Sequence, residues 1–293
     1  MGNPILAQLV RGDLVESIYT GRLVMLDAAG KIEYSQGDIS ELTYPRSAVK
    51  CVQAAVSLEF GASLENETAA IAAASHSGSE AHLEYVRKIL ADVQLTETAL
   101  QTPLDYPLGA AEQRSWIAAG KPKSAIAMNC SGKHAAWINA CVHAGIDHQI
   151  YLDPKNKLQQ RIIELFSELA GEQVKVSSVD GCGGPLHAVS LTGMARMIQA
   201  AVTAPAGSEL NKIITAVSAY PVAASGVGRD IAKFMAAIPG SFLKDGAEGV
   251  EVLALADGRT AAFKFDAGNF LIRHIVSARI FQIWGVNNEL SDE

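Results

Sequence analysis

A serine three residues before a lysine, Ser47-x-x-Lys50, stands in the stretch YPRSAVKCVQAA at residues 44–55. Pro45 suits the first position of a helix, because it has no N–H to leave unpaired there. Residues three apart share one helix face. The Ser47 hydroxyl and the Lys50 amine can therefore meet at a helix N-terminus, where backbone N–H groups and the helix dipole favour negative charge. A serine beside a desolvated lysine is one way to make a nucleophile. The apolar run CVQAAVSLEF after Lys50 would bury its stem, depress its pKa and leave a fraction neutral to act as base. Spacing alone is weak evidence. Ordinary residue frequencies give about one Ser-x-x-Lys per chain of this length, and a second stands at Ser241-Phe-Leu-Lys244. The plain alternative is a helix-start serine and a solvated lysine.

Other stretches carry reactive residue types. Ser75-His76-Ser77-Gly78 breaks an Ala-rich helix with two hydroxyls and an imidazole; the alternative is one helix's C-cap and the next one's N-cap. Asn129-Cys130-Ser131-Gly132-Lys133-His134 and Asp180-Gly181-Cys182-Gly183-Gly184-Pro185 are loop-to-helix junctions with one cysteine each. Either can present a thiolate near a helix N-terminus, where its pKa falls. Together they can bind zinc, although one cysteine per side is less than a Cys-x-x-Cys pair; the alternative is two small buried residues. Cys51 and Cys141 lie on apolar helical faces and read as core. Lys244-Asp245-Gly246 ends an expected strand. Serine acyl-enzymes of the β-lactamase class combine Ser-x-x-Lys with Lys-Thr-Gly on such a strand and with Ser-Asp-Asn. Here the middle residue is Asp and no Ser-Asp-Asn occurs; the alternative is a surface turn.

The elements that must position these residues are legible in outline. Residues 5–35 split into short β-rich runs at Gly21 and at the turn AAGK. After Pro45 an Ala-rich helical texture runs almost unbroken to about residue 145, with one helix over Asn66 to Ala74 and a Ser77/Glu80 capping-box pattern opening the next, to about Val93. Gln101 to Leu108 is irregular, and a further helix is expected from near Ser131 to Gly145. Asp153-Pro154 opens an amphipathic helix with Leu158, Ile162, Leu165 and Leu169 on one face. Val174 to Val179 reads as a strand, and helices follow to about Ile238. SFLKDG, GVEVLALADG and TAAFKFDAG read as strands, with Asp257-Gly258 a hairpin signal. A helix over 268–284 closes the chain, and the last nine residues are expected to fray. Strands at both ends enclosing a helical middle predict an α+β fold, an antiparallel sheet built from the termini and covered by helices. A single domain is expected, which can carry a helical subdomain over about 65–235.

The 293 residues can bury a sizeable core, and 49% hydrophobic with 19% charged residues suits a globular protein. A net charge of −7 with scattered Lys and Arg speaks against nucleic acid as a partner. No apolar run reaches about 18 residues, which speaks against a membrane span. The N-terminus lacks the features of a signal peptide, and Leu6 stands where a myristoylation motif needs Ser or Thr. The expected location is the cytoplasm, where the four cysteines serve as thiols, core residues or metal ligands rather than disulfides.

Taken together, YPRSAVK, ASHSG, NCSGKHA, DGCGGP, the run from Lys244 to Val250 and an N-terminal RG-x-x-VES at Arg11 to Ser17 resemble the rhizobial-type L-asparaginases, or asparaginase II, over essentially the whole chain. The resemblance implies a fold like the serine β-lactamases and glutaminases, and hydrolysis of L-asparagine to L-aspartate and ammonia. It implies two catalytic Ser–Lys pairs, which fall on Ser47 with Lys50 and on Ser75 with Lys244. It implies a zinc site with ligands matching Cys130, Lys133 and Cys182, and a homodimer. Arg46, His76, Asn129, His134 and Asp180, within the same motifs, are the expected substrate-binding residues. Zinc is expected in a supporting role, because two Ser–Lys pairs already supply nucleophile and base.

The chain departs from the family at Tyr19, where the family has His, at Asp245, and after the two cysteine motifs at Ala136-Trp137 and Gly183-Gly184. The Asp245 carboxylate would favour a charged Lys244. The alternatives are the same machinery acting on glutamine or a β-lactam, or a non-catalytic zinc-binding protein.

Overall fold

The computed structural model describes residues 2–268 and 272–286. Strands β1 (Ile5–Arg11) and β2 (Leu14–Leu26) form an antiparallel hairpin, followed by β3 (Ile32–Gln36) and the short β4 (Leu42–Thr43). A 3-10 turn over Arg46–Val49 leads into α1 (Lys50–Glu59). The helical middle follows, with α2 (Asn66–Ala72), α3 (Glu80–Asp92), α4 (Ala110–Ala118), α5 (Ser131–His143) and α6 (Lys157–Ala170). Three short strands, β5 (Ser177–Val179), β6 (Pro185–His187) and β7 (Val189–Ser190), lead to α7 (Leu191–Val202), α8 (Glu209–Ala219), α9 (Pro221–Ala224) and α10 (Asp230–Ala237). The C-terminal part is β8 (Phe242–Gly246), β9 (Val250–Ala254), β10 (Thr260–Phe265) and α11 (Arg273–Ile283).

The fold is α+β. One antiparallel sheet runs β1-β2-β10-β9-β8, with β3 also on β2, so both chain ends contribute strands as the sequence predicts. The two halves of β2 behave differently. Arg22 to Leu26 pairs with β10 and β3 and is buried, whereas Leu14 to Glu16 is exposed and pairs only with β1. Every residue of β8 and β9 is buried, so helices cover both faces there, and α7 packs across β2, β9 and β10. Helix α1 links the layers, touching α5, α6 and α8. No helix among the described residues is long and apolar enough to cross a membrane.

Several local expectations shift. The Ser47 motif opens as a 3-10 turn, with Arg46 in the left-handed region at φ 52°. Ser79 rather than Ser77 caps α3. Its Oγ accepts from His82 N, and the His82 ring accepts in turn from Ser79 N. The reason is Gly78, which turns at φ +85° and delays the helix start. The helical run expected to 145 is interrupted before α4 and again before α5, where Asp105 and Ser124 bridge. The ladders β4–β7 and β5–β6 are too short to show periodicity. The expected fraying falls largely on residues 287–293, outside the described residues.

Two glycines permit the close approaches that bring the motifs together. A Cβ at Gly132, in the first turn of α5, would lie 2.3 Å from the Ile71 carbonyl oxygen of α2. One at Gly246 would lie 2.6 Å from Pro45 O, so β8 ends directly against the Ser47 turn. In an exposed helix Gly→Ala gains about 1 kcal/mol, but overpacking costs roughly 1–3 kcal/mol or more. Because the clash at Gly132 is with backbone, which cannot swing aside, overpacking outweighs the gain in helix propensity. Gly132→Ala is therefore expected to destabilise the fold by about 2 kcal/mol, measured by urea unfolding. A stabilised variant would show that α2 and α5 can separate at no cost.

Candidate active site

Ser75 follows the C-terminal end of α2, where the chain leaves the helix after Ala73 and Ala74. Its Oγ receives hydrogen bonds from two lysines on different elements: Lys50 Nζ from the start of α1 at 3.3 Å and Lys244 Nζ from the middle of β8 at 3.0 Å. All three residues are buried, at 5%, 1% and 2% exposure. Buried amines need partners. Lys50 Nζ also donates to Ala74 O at 2.5 Å and Cys130 Sγ at 3.0 Å. Lys244 Nζ donates to Asp245 O at 2.8 Å and Asp245 Oδ1 at 2.5 Å. Burial, with Lys50 and Arg229 near by, pushes the Lys244 amine down to about 8 even though Asp245 opposes the shift.

Ser47 is placed differently. It is half-buried, and among the described residues its Oγ has no hydrogen-bond partner. The expected Ser47–Lys50 contact does not form. The Lys50 amine turns to Ser75 instead. Beside Ser47, Arg46 Nε donates to Asp180 Oδ1 at 2.7 Å, which ties the Ser47 turn to the Cys182 loop. A cavity of about 480 Å³ opens at this ion pair, lined by Arg46, Asp180, Gly181, Tyr44, Glu248 and Lys264. A larger one, about 1060 Å³, lies between the α1–α2 loop, α3 and α8, away from the motif residues. Cavity size therefore does not locate the chemistry here; the buried amines do.

Cys130 and Cys182 converge. They lie close enough to act on each other, which raises the Cys130 pKa and lowers that of Cys182. Lys133 Nζ lies 3.3 Å from Cys182 Sγ and 4.3 Å over the Trp137 ring. Burial alone would lower the Lys133 pKa, but Cys182 and Cys130 outweigh it and raise it. Asp180 Oδ2 is 3.9 Å from Cys182 Sγ. Asn129 Oδ1 accepts from Cys130 Sγ at 3.0 Å, and Asn129 O accepts from His76 N at 3.1 Å. His76 Nε2 pairs with Ser131 Oγ at 2.8 Å, and His134 Nδ1 with Tyr151 Oη at 2.8 Å. Burial holds both imidazoles neutral, with His134 lowered to about 4. His76 Nδ1 and His134 Nε2 are left without partners among the described residues. No cluster of three His, Cys, Asp or Glu side chains suited to a metal forms among those residues, so a third ligand there would have to be Lys133.

Sequence reasoning missed several residues of this neighbourhood. Arg229 Nη2 donates to Asp245 Oδ2 at 2.8 Å, Arg273 Nη2 lies 3.5 Å from the same oxygen, and Arg273 Nε lies 3.4 Å from Glu251 Oε2. No motif marks Arg229, Arg273 or Glu251. The only sequence signal was a glutamate inside the apolar strand GVEVLALADG, where a lone carboxylate needs a partner.

The sequence profile of the L-asparaginase II family matches residues 7–293. No curated protein sequence matches at a significant level. Solved structures similar in fold include Mglu in its native form, with 14% identity and a TM-score of 0.48 over 90% of this chain and 63% of that one. Mglu in its glutamate form gives 15% and 0.48, over 93% and 62%. A β-lactamase from Mycobacterium bovis gives 12% and 0.42, over 90% and 94%. The chain thus spans less than two thirds of the Mglu length.

Proposed function

We propose that this amidohydrolase, which belongs to the L-asparaginase II family, releases ammonia from L-asparagine through a serine acyl-enzyme. The observation that carries the reading is one hydroxyl, Ser75 Oγ, bonded by two buried amines. A hydroxyl between two amines suits a proton relay, because it can accept from one and donate to another acceptor without moving far. An attacking hydroxyl needs the opposite: access to substrate and an uncommitted oxygen. Ser47 Oγ is uncommitted, and the residue is half-buried next to Arg46, which lines the 480 Å³ cavity.

The roles divide accordingly. Ser47 Oγ attacks the side-chain amide carbon as substrate draws it towards Lys50, whose amine takes the serine proton. The Lys50–Ser75 hydrogen bond passes that proton towards the leaving nitrogen, the C–N bond breaks and ammonia departs. Water then attacks the β-aspartyl ester, and the released proton returns to Ser47. Lys244, with its amine at about 8, is an ammonium at neutral pH and holds Ser75 in place while adding positive charge. Arg46 and Asp180, at the mouth of the 480 Å³ cavity, suit the substrate's α-carboxylate and α-ammonium. Ser47→Ala is expected to abolish the trapped acyl-enzyme seen by quenched mass spectrometry and to lower ammonia release about 10³-fold or more. Ser75→Ala should lower release about 10²- to 10⁴-fold while an adduct still forms. An adduct on Ser75 in place of Ser47 would exchange the two roles, and full activity in both variants would end the enzyme reading.

The donors also fit zinc. Two buried cysteines that act on each other's pKa, an amine 3.3 Å from one of them and the buried His134 Nε2 form the S/N set that zinc prefers. Cys130, Lys133 and Cys182 are the residues that would hold it, Lys133 as a neutral amine. When bound, the ion supplies Lewis acidity and fixed positive charge. Its part is support. Chelation is expected to lower the melting temperature and to reduce ammonia release without abolishing it. Complete loss in a protein that stays folded would assign zinc to the reaction itself.

A homodimer and a cytoplasmic location complete the proposal. The β1–β2 hairpin exposes Leu14 at 69% and Ile18 at 55%, an apolar edge that a second copy would cover. The four cysteines are free thiols, as a reducing compartment allows. Cell fractionation followed by light scattering is expected to give a soluble protein of twice the chain mass; a monomer or a secreted form would refute the respective half.

A further inference from the structure

The Ser75 hydroxyl belongs to a ring of hydrogen bonds closed through the backbone of the Ser225 loop and the Ser75–Ser77 turn. From Ser75 Oγ the ring passes to Lys244 Nζ at 3.0 Å and then to Asp245 Oδ1 at 2.5 Å. Asp245 Oδ2 accepts from Arg229 Nη2 at 2.8 Å, and Arg229 Nε donates to Ser225 Oγ at 2.9 Å. The carbonyl of Ser225 accepts from Ser77 N at 2.8 Å, and Ser77 stands in the same turn as Ser75. The turn, strand β8 and the loop before α10 are thus joined through one carboxylate. We propose that Asp245, held by Arg229, is the positioning residue of the site, the link that closes this ring and fixes the Lys244 ammonium on Ser75.

The charges facing Lys244 support this. Lys50 and the thiol of Cys51 face it from α1, Asp245 from its own strand, Glu251 from β9, Arg229 from the start of α10 and Arg273 from α11. Two of these, Arg229 and Arg273, are fixed cations that disfavour a further charge. Asp245 is the carboxylate bonded to the amine, and its own pKa is lowered by Lys244, Arg229 and Arg273 against the cost of burial. Glu251 compensates less, because burial raises it to about 7. Without Asp245 the ammonium would face cations almost alone. The Lys-Asp-Gly sequence thus has a reason: a neutral residue at 245 would leave Arg229 and Lys244 in mutual repulsion.

The inference deepens the amidohydrolase reading and rests on it for its kinetic test. The pH profile of ammonia release should show an alkaline limb near the Lys244 value of about 8, because the ammonium is the working form. Asp245→Asn removes the favourable charge, so the limb should move to lower pH by about one unit or more. kcat should fall about 10²-fold through misplacement of Ser75, with KM little changed. Arg229→Met removes a repelling cation, so the limb should move to higher pH while kcat also falls. Asp245→Glu keeps the charge and should keep the limb near its original place. A merely structural role would lower the rates without moving the limb in opposite directions. If Asp245→Asn does not fold, the upward shift in Arg229→Met carries the test.

Coincident limbs in the wild type and the Asp245→Asn variant, or a downward move in Arg229→Met, would overturn the proposal. A titration of the Lys244 Nζ signal by ¹⁵N NMR without substrate reads the same displacements. Displaced midpoints in a protein that releases no ammonia would sink the amidohydrolase reading and leave the ring standing; unmoved midpoints in an active enzyme would do the reverse.

Discussion

Two lysine amines that share one hydroxyl, deep inside the protein, are the constraint on which the site depends. A buried amine is costly unless it is fully hydrogen-bonded. The structure meets that demand differently for each. Lys50 relies on a carbonyl and a sulfur, whereas Lys244 relies on a carboxylate that two arginines in turn stabilise. The amines reach Ser75 from different layers, α1 and β8. Their meeting therefore requires the sheet, the first helix and the α2–α3 turn to be fixed against one another within a few tenths of an ångström.

That precision comes from close backbone approach rather than from the polar groups alone. Gly246 lets the end of β8 touch Pro45, and Gly132 lets α5 lie on α2. These contacts set Lys244 against the Ser47 turn and Cys130 against Lys50. A methyl group at either position would hold the elements apart by more than a hydrogen bond can stretch. Packing of uncharged backbone thus decides where the charges sit, and the charges then decide which protonation states are available.

Asp245 shows how one residue alters such a site without touching substrate. A threonine there could bond a lysine but not stabilise its charge. The carboxylate does both and recruits Arg229, and through it the Ser225 loop, into the same network. Glu251 and Arg273 extend the network to α11, so the strand that carries Lys244 is braced from its far side as well.

The antiparallel sheet from both termini, the helical middle and most element positions could be read from hydrophobic pattern and turn residues, because those depend on local chemistry. The candidate residues Ser47, Lys50, Ser75, Cys130, Cys182 and Lys244 stood out too, since unusual polar types lay inside Ala-rich, glycine-rich or strand stretches, whereas Lys133 came only from the family resemblance. Their pairing was not legible. Helical spacing placed Lys50 with Ser47, yet in the folded chain its amine reaches Ser75, a residue 25 positions away. Arg229, Arg273 and Glu251 left almost no mark in the sequence, because a charged residue shows its partner only when distant strands and helices have been brought together. The sequence alone determined which groups can react; long-range packing decided which of them share a proton.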